Sequence, residues 1–281
     1  MTFPIHLGKI VAAALEEDLG RGDITTDACV PADARGRCVF RARSPLVSAG
    51  GAIIAEVFGQ ITASVVVSDL VPDGSALAAG AVMARVQGPA RCLLKGERVA
   101  LNFVQRLCGT ATLTRRYVDA LPPGSRTRIT DTRKTTPGLR ALERLAVRAG
   151  GGHNHREDLS SAVLIKDNHV AAAGGITAAI RRCRDQAPHT SRIECEVDSL
   201  AQFEEALAAK ADIVLLDNFD DAQVEHAVAI NQGRAILEAS GGITLERVTR
   251  LAEIGVDVIS VGALTHSAPA VDIGLDWEES P

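Results

Sequence analysis

The 281-residue chain carries a net charge of −5, with 46% hydrophobic and 23% charged side chains. This composition supplies a globular core and argues against a general nucleic-acid footprint, which needs a basic face. Aromatic residues make up only 3%, so the core must rest on Ala, Val, Leu and Ile.

The stretch "HLGKIVAAALEEDLG" has helical spacing and a stop at Gly20. "GRCVFRARS" and "ASVVVSDL" alternate or run β-branched, as strands do. "VPDGSALAAGAVMARVQGPARCLL" carries a P-D-G turn with short strands on either side. "KGERVALNFVQRLCGTATLTRRYVDAL" reads as a long, mostly buried helix, with a break expected near Gly109, and the turn "PPGS" follows it.

The rhythm then changes. "TRITD", "AVLIK", "RIECEVD", "DIVLLD", "AILEAS" and "VDVISVG" are short apolar runs, each followed by a helical pattern such as "SLAQFEEALAAK" or "DAQVEHAVAI". Their spacing suits βα units of about 30 residues. Continuous apolar strands imply burial on both faces and a parallel sheet. Right-handed crossovers then leave a barrel or an open doubly wound sheet.

Polar residues gather at the ends of these runs: Asp131, Arg133 and Lys134; Lys166, Asp167, Asn168 and His169; Glu194, Glu196 and Asp198; Asp217 and Asn218; Glu238 and Ser240–Gly242; Gly262. The carboxyl ends of barrel strands are where active sites form, so these residues are expected to face one another. Pro137 suggests a helix start, capped by Thr135 or Thr136, which sets Arg133 and Lys134 near an anion-favouring helix terminus. "GGGHNHREDL" adds His153, His155 and Arg156. The His-x-His spacing admits a metal, but without a third ligand at suitable spacing the better account is a set of donors around an anion. Lys166, ending a buried strand, needs a partner or a task. "EASGGIT" and "SVGALTHS" are glycine turns in the last two loops, where barrels often bind phosphate. Glu196 and Asp217 either pair with the cations or serve hydroxyls, Mg²⁺ or a developing cation.

The cysteines, Cys29, Cys38, Cys92, Cys108, Cys183 and Cys195, form no C-x-x-C pair or zinc pattern and read as thiols of a reducing compartment. The first residues show no signal-peptide pattern, and no apolar run is long enough to span a membrane. A soluble cytoplasmic protein with no nucleic-acid or membrane partner is expected.

Together "EEDLGRGDITT", "GPAR", "GERVALNFVQRL", "DTRKTTPGLR", "GGGHNHR", "LIKDNH", "EVD", "LLDN", "EASGGIT" and "GVDVISVGALTHSAPAVDIGLD" closely resemble the quinolinate phosphoribosyltransferase family, from about Glu16 to Asp276. The resemblance implies an α/β fold: an N-terminal α/β sandwich over 1–110, with 269–281 returning to it, and a C-terminal open α/β barrel over 111–268. It implies a homodimer or hexamer with the site shared between subunits. Arg98 would reach into the neighbouring site. Arg133, His155, Arg156 and Lys166 would grip the two carboxylates of quinolinate, and Lys134 would face the reacting phosphates or carboxylate. Glu196 and Asp217 would hold ribose hydroxyls and Mg²⁺. Ser240, Gly241 and Gly242, with Val261, Gly262 and Ala263, would hold phosphate of phosphoribosyl pyrophosphate. Lys134, Lys166, Glu196 and Asp217 are thereby the expected catalytic set. The products would be nicotinate mononucleotide, pyrophosphate and CO₂. A related enzyme acting on a monoacid such as nicotinate is the alternative. Asp158 and Ser161 stand where the family usually has Gly and Asp, which puts the local loop path in question.

Overall fold

The computed structural model describes residues 6–278; the expectations that fall on 1–5 and 279–281 lie outside the described residues. The chain divides into two compact units. One holds the residues up to Arg115, Thr135–Gly151 and the residues from Ala263 onward; the other holds Arg116–Lys134 and Gly152–Gly262. The elements begin with α1 (Leu7–Leu19), α2 (Ile24–Cys29), β1 (Arg35–Ala42), β2 (Leu46–Val47), α3 (Gly51–Ile61), β3 (Val66–Ser68), β4 (Ala76–Leu77), β5 (Val82–Pro89) and α4 (Ala90–Asp119). They continue with β6 (Arg128–Thr130), α5 (Arg140–Ala149), β7 (Val163–Ile165), α6 (Asp167–Ala173), α7 (Ile176–Gln186), β8 (Ile193–Val197) and α8 (Leu200–Ala208). Last come β9 (Ile213–Asp217), α9 (Asp221–Asn231), β10 (Ile236–Ser240), α10 (Leu245–Ile254), β11 (Val258–Ser260), α11 (Ala263–His266) and β12 (Ile273–Trp277).

In the first unit an antiparallel sheet runs in the order β12-β1-β5-β3. The even positions Cys38, Phe40 and Ala42 of β1 point into the core, as the two-residue period of a strand requires. Against them α3 buries Ile53, Ile54, Val57 and Phe58 on one stripe. Phe40 and Phe58 meet edge to face, with ring centroids 6.4 Å apart. The carboxyl-terminal strand closes this sheet: β12 pairs along β1 from Cys38↔Trp277 to Ala42↔Ile273.

Two sequence expectations are corrected here. Helix α4 is unbroken at Gly109. The glycine serves close approach, since a Cβ there would collide with the Pro269 carbonyl oxygen. Pro137 does not open a helix either: α5 starts at Arg140, with Leu139 at its cap. The preceding residues are drawn off the helix axis by Glu143, a fully buried acid. Glu143 accepts the Thr136 amide at 3.0 Å and the Thr136 hydroxyl at 2.8 Å, and takes the Arg106 guanidinium at 2.6 and 2.9 Å.

The second unit holds a six-stranded parallel sheet in the order β6-β11-β10-β9-β8-β7. Each strand lies beside its neighbour in sequence, and the last returns to pair with the first. A doubly wound sheet would reverse direction at a switch point; this order is that of a barrel, left open between β6 and β7. At that seam His153 makes a parallel bridge with Thr130. The middle strands are nearly all buried, as parallel strands covered on both faces are.

Arg106→Ala leaves the Glu143 carboxylate buried without its cation. With Arg106 itself about one-third exposed, the expected loss of stability is about 2–3 kcal/mol. It would be read as a lowered urea midpoint at unchanged slope.

Candidate active site

The second unit gathers most of the expected site residues at the carboxyl ends of its strands. Arg133 and Lys134 follow β6, where the Lys134 amide donates to the Thr132 hydroxyl at 3.1 Å. His155 and Arg156 lie in the loop that precedes β7, and Lys166 directly follows that strand. Glu196 is on β8, Asp217 ends β9, Ser240 ends β10, and Val261 and Gly262 follow β11. Arg98, exposed on α4, and Ala263, the first residue of α11, belong to the first unit.

Two cations dominate. The Arg156 guanidinium is half-buried, donates to the Ala162 carbonyl at 3.1 Å, and has a buried Nε without a hydrogen-bond partner. Burial first, and then the neighbouring Arg133 guanidinium, lower its pKa from the ordinary value; Glu194 partly offsets them. Two guanidiniums close enough to repel, one with an unsatisfied donor, make a socket for a planar anion with more than one carboxylate.

The loop that carries Arg156 is fixed from two sides. Asp131, fully buried, accepts the His155 amide at 2.7 Å and the Asn154 side chain at 2.6 Å. The His155 Nε2 lies 3.4 Å from carboxylate oxygens of both Glu194 and Glu238. Its Nδ1 accepts the Arg156 amide at 2.7 Å. Burial alone would lower the pKa of His155, but hydrogen bonds to Glu194 and Glu238 outweigh it and raise the value to about 10. The Arg156 amide asks for a lone pair on Nδ1, which favours holding the extra proton toward Glu194, itself pushed up by burial. Either placement gives the same proton count, so the titration belongs to the cluster.

This is also the one His and carboxylate cluster of metal-binding shape among the described residues. It does not suit a cation: both ring nitrogens are engaged and two guanidiniums stand near. His153 is not in the cluster; its backbone bonds to β6 instead. The His-x-His spacing thus carries no metal ligand pair.

The acids sort into two layers. Asp131, Glu194 and Glu238 are buried. Glu196 lies two residues above Glu194 on the same strand face and receives the Lys166 ammonium. Glu196 and Asp217, with Asp167 and Asp198, line a cavity of about 280 Å³. Such a set of oxygens suits a hard divalent cation that arrives with phosphate.

Beside it the β9 and β10 loops interlock. Asn218 takes a left-handed backbone, φ 57°, which asparagine tolerates. It donates its amide to the Ser240 carbonyl at 3.0 Å. Gly241, φ 84°, has no room for a Cβ against Asn218, and Gly242 follows at φ 56°. Successive left-handed glycines before α10 form an amide-lined turn suited to phosphate oxygens. The substituted loop is self-contained. Ser161 Oγ accepts the Glu157 and Asp158 amides at 3.0 and 3.2 Å, and Asp158 accepts the Ser160 amide and hydroxyl at 2.9 and 2.8 Å.

The roles of Asp131, Asn154, Glu194 and Glu238 are absent from the sequence expectation. The alternation in "ECE" was the available signal, since it puts Glu194 and Glu196 on one face.

Two family models cover the chain. The N-terminal domain of quinolinate phosphoribosyl transferase matches residues 23–108, and the C-terminal domain matches 110–276. The chain belongs to this family. A carboxylating nicotinate-nucleotide pyrophosphorylase of Mycobacterium leprae is 46% identical over 274 residues, covering 95% of this chain and 95% of the relative. A probable enzyme of the same name from Bacillus subtilis is 43% identical over 272 residues, covering 97% and 93%. The solved nicotinate-nucleotide pyrophosphorylase of Francisella tularensis superposes with a TM-score of 0.93 at 37% identity, over 99% of this chain and 98% of that one. As a quinolinate phosphoribosyl transferase, the chain is a pentosyltransferase built on the open barrel described above.

The His155 cluster has a pH signature. A folded-state value raised above the free value of about 6.5 gives stability that is fully present below that pH. It is lost as pH rises toward about 10. The thermal midpoint should fall between pH 6.5 and 10, with a shallower fall in His155→Gln.

Proposed function

We propose that this chain is a carboxylating nicotinate-nucleotide pyrophosphorylase, converting quinolinate and phosphoribosyl pyrophosphate to nicotinate mononucleotide, pyrophosphate and CO₂ for NAD synthesis. The observation that carries this reading is the Arg133–Arg156 pair. A monoacid would leave one of two adjacent guanidiniums unneutralised, whereas a pyridine diacid neutralises both. Lys166 and Lys134 supply further positive charge from the neighbouring strand ends.

The ring nitrogen of the bound diacid attacks the anomeric carbon of the activated ribose. The new C–N bond forms as the C–O bond breaks, and the electron pair leaves with pyrophosphate. Glu196 and Asp217 stabilise positive charge building on the sugar and hold its hydroxyls. Their oxygen donors, with those of Asp167 and Asp198, fit a Mg²⁺ ion, which when bound would offset charge on the diphosphate. The amides of Ser240–Gly242 and of Val261–Gly262, with Ala263, cradle phosphate. Fixing both reactants in line supplies much of the acceleration. The 2-carboxylate then departs as CO₂, its electron pair stabilised by the positive ring nitrogen beside it.

The working form is a homodimer, or a hexamer of such dimers, in which each subunit lends Arg98 to its partner. What supports this is an exposed Arg98 on α4, without an ion pair among the described residues. The cytoplasm suits the six cysteines, all of them free, and no helix among the described residues is long and apolar enough to cross a membrane.

Mixing the chain with quinolinate, phosphoribosyl pyrophosphate and Mg²⁺ should release pyrophosphate and CO₂ in equal amounts. Efficient turnover of nicotinate in place of quinolinate would overturn the reading. Arg133→Ala should weaken quinolinate binding by about 2–5 kcal/mol, measured by calorimetry. Inactive Arg98→Ala and Asp217→Asn chains, mixed and re-equilibrated, should regain about one quarter of wild-type turnover by symmetry counting. No recovery would remove the shared site.

A further inference from the structure

We infer that Glu194 and Glu238 are positioning residues that clamp His155 and, through it, aim the Arg156 guanidinium at the diacid beside Arg133. This rests on the proposed function and goes beyond it, since His155 is then part of the scaffold of the site and does not touch the substrate.

The argument begins with cost. Glu194 and Glu238 are 3% and 4% exposed, on strands β8 and β10, which are separated by β9. Two carboxylates buried side by side near the middle of a barrel are expensive, and apolar residues of similar size would be cheaper there. Their retention calls for a task. The partner they share is the His155 ring, whose Nε2 is equidistant from both at 3.4 Å. A donor placed between two acceptors cannot rotate away without leaving both unsatisfied.

The other end of the ring decides what is positioned. Nδ1 accepts the amide hydrogen of Arg156 itself, so ring orientation and the backbone at Arg156 are set together. Asp131 fixes the peptide on the other side through the His155 amide. Between these anchors the Arg156 side chain leaves the backbone in one direction. It ties one guanidinium nitrogen to the Ala162 carbonyl and keeps Nε buried without a partner. With both ring nitrogens of His155 engaged inside the protein, neither is left to meet a substrate carboxylate.

The test is a double-mutant cycle read on two ligands. Quinolinate Kd is measured by calorimetry, and KM for phosphoribosyl pyrophosphate by turnover. The chains are wild type, Glu194→Gln, Glu238→Gln, His155→Gln and Arg156→Ala, and the last combined with Glu238→Gln and with His155→Gln. A positioning role gives about 10- to 100-fold weaker quinolinate binding in each single Gln variant, with the KM of the sugar substrate unchanged. In the Arg156→Ala background the same changes should add less than about twofold. Should His155→Gln not fold, the Glu238→Gln cycle carries the test alone. Fully additive losses would make His155 a direct ligand and overturn the inference. Equal weakening of both ligands, with a lowered thermal midpoint, would make the cluster merely structural and overturn it too. A wild-type chain that binds no quinolinate would overturn the proposed function along with it.

Discussion

The site depends on holding two guanidiniums together against their own repulsion. Arg156 is half-buried beside Arg133, and both burial and the neighbour disfavour its charge. Nothing in the pair itself keeps it in place. The surrounding scaffold must do so, by fixing the backbone that carries Arg156 and by setting negative charge at a distance where it offsets without neutralising. Glu194 plays the second part, and Asp131 plays the first. The site is thereby organised for an anion before one arrives, so less of the binding energy is spent on ordering.

A carboxylate's place along the barrel decides what it does. On β8, Glu194 and Glu196 share a face, yet the lower one is sealed among protein groups and the upper one meets Lys166 at the rim of an open cavity. The same residue type is scaffold at one level and chemistry at the next, and environment alone separates them. The lower layer holds cations in place for the diacid; the upper layer faces the sugar and its phosphates. This division explains how one acidic chain can bind two anionic reactants.

The fold was legible where the sequence is periodic. Six apolar runs, each followed by a helical pattern, specify parallel βα units, and their ends mark the rim. Helix α3 was not legible as a helix, because "GAIIAEVFGQI" is apolar nearly all round and carries a glycine at each end of the pattern. Gly109 misled for a related reason: a helix glycine signals either a break or a close neighbour, and only the Pro269 backbone distinguishes them. Pro137 misled because the residue that sets the start of α5, Glu143, acts through hydrogen bonds to Thr136 and Arg106 that no local pattern announces. At the site, the exposed and half-buried cations were readable from motif. Their buried supports were not, since Glu194 and Glu238 are more than 40 residues apart in sequence and are joined only through a third residue on another loop.

The turn from Glu157 to Ser161 satisfies the polar groups of Asp158 and Ser161 within itself. A segment that borrows nothing from its surroundings can change its letters without disturbing Arg156 next door. It follows that selectivity among homologues is to be sought here. A small molecule that anchors on the shared arginines will bind them all, whereas one that extends far enough to touch this hydroxyl-rich bend would tell this lineage apart from the rest.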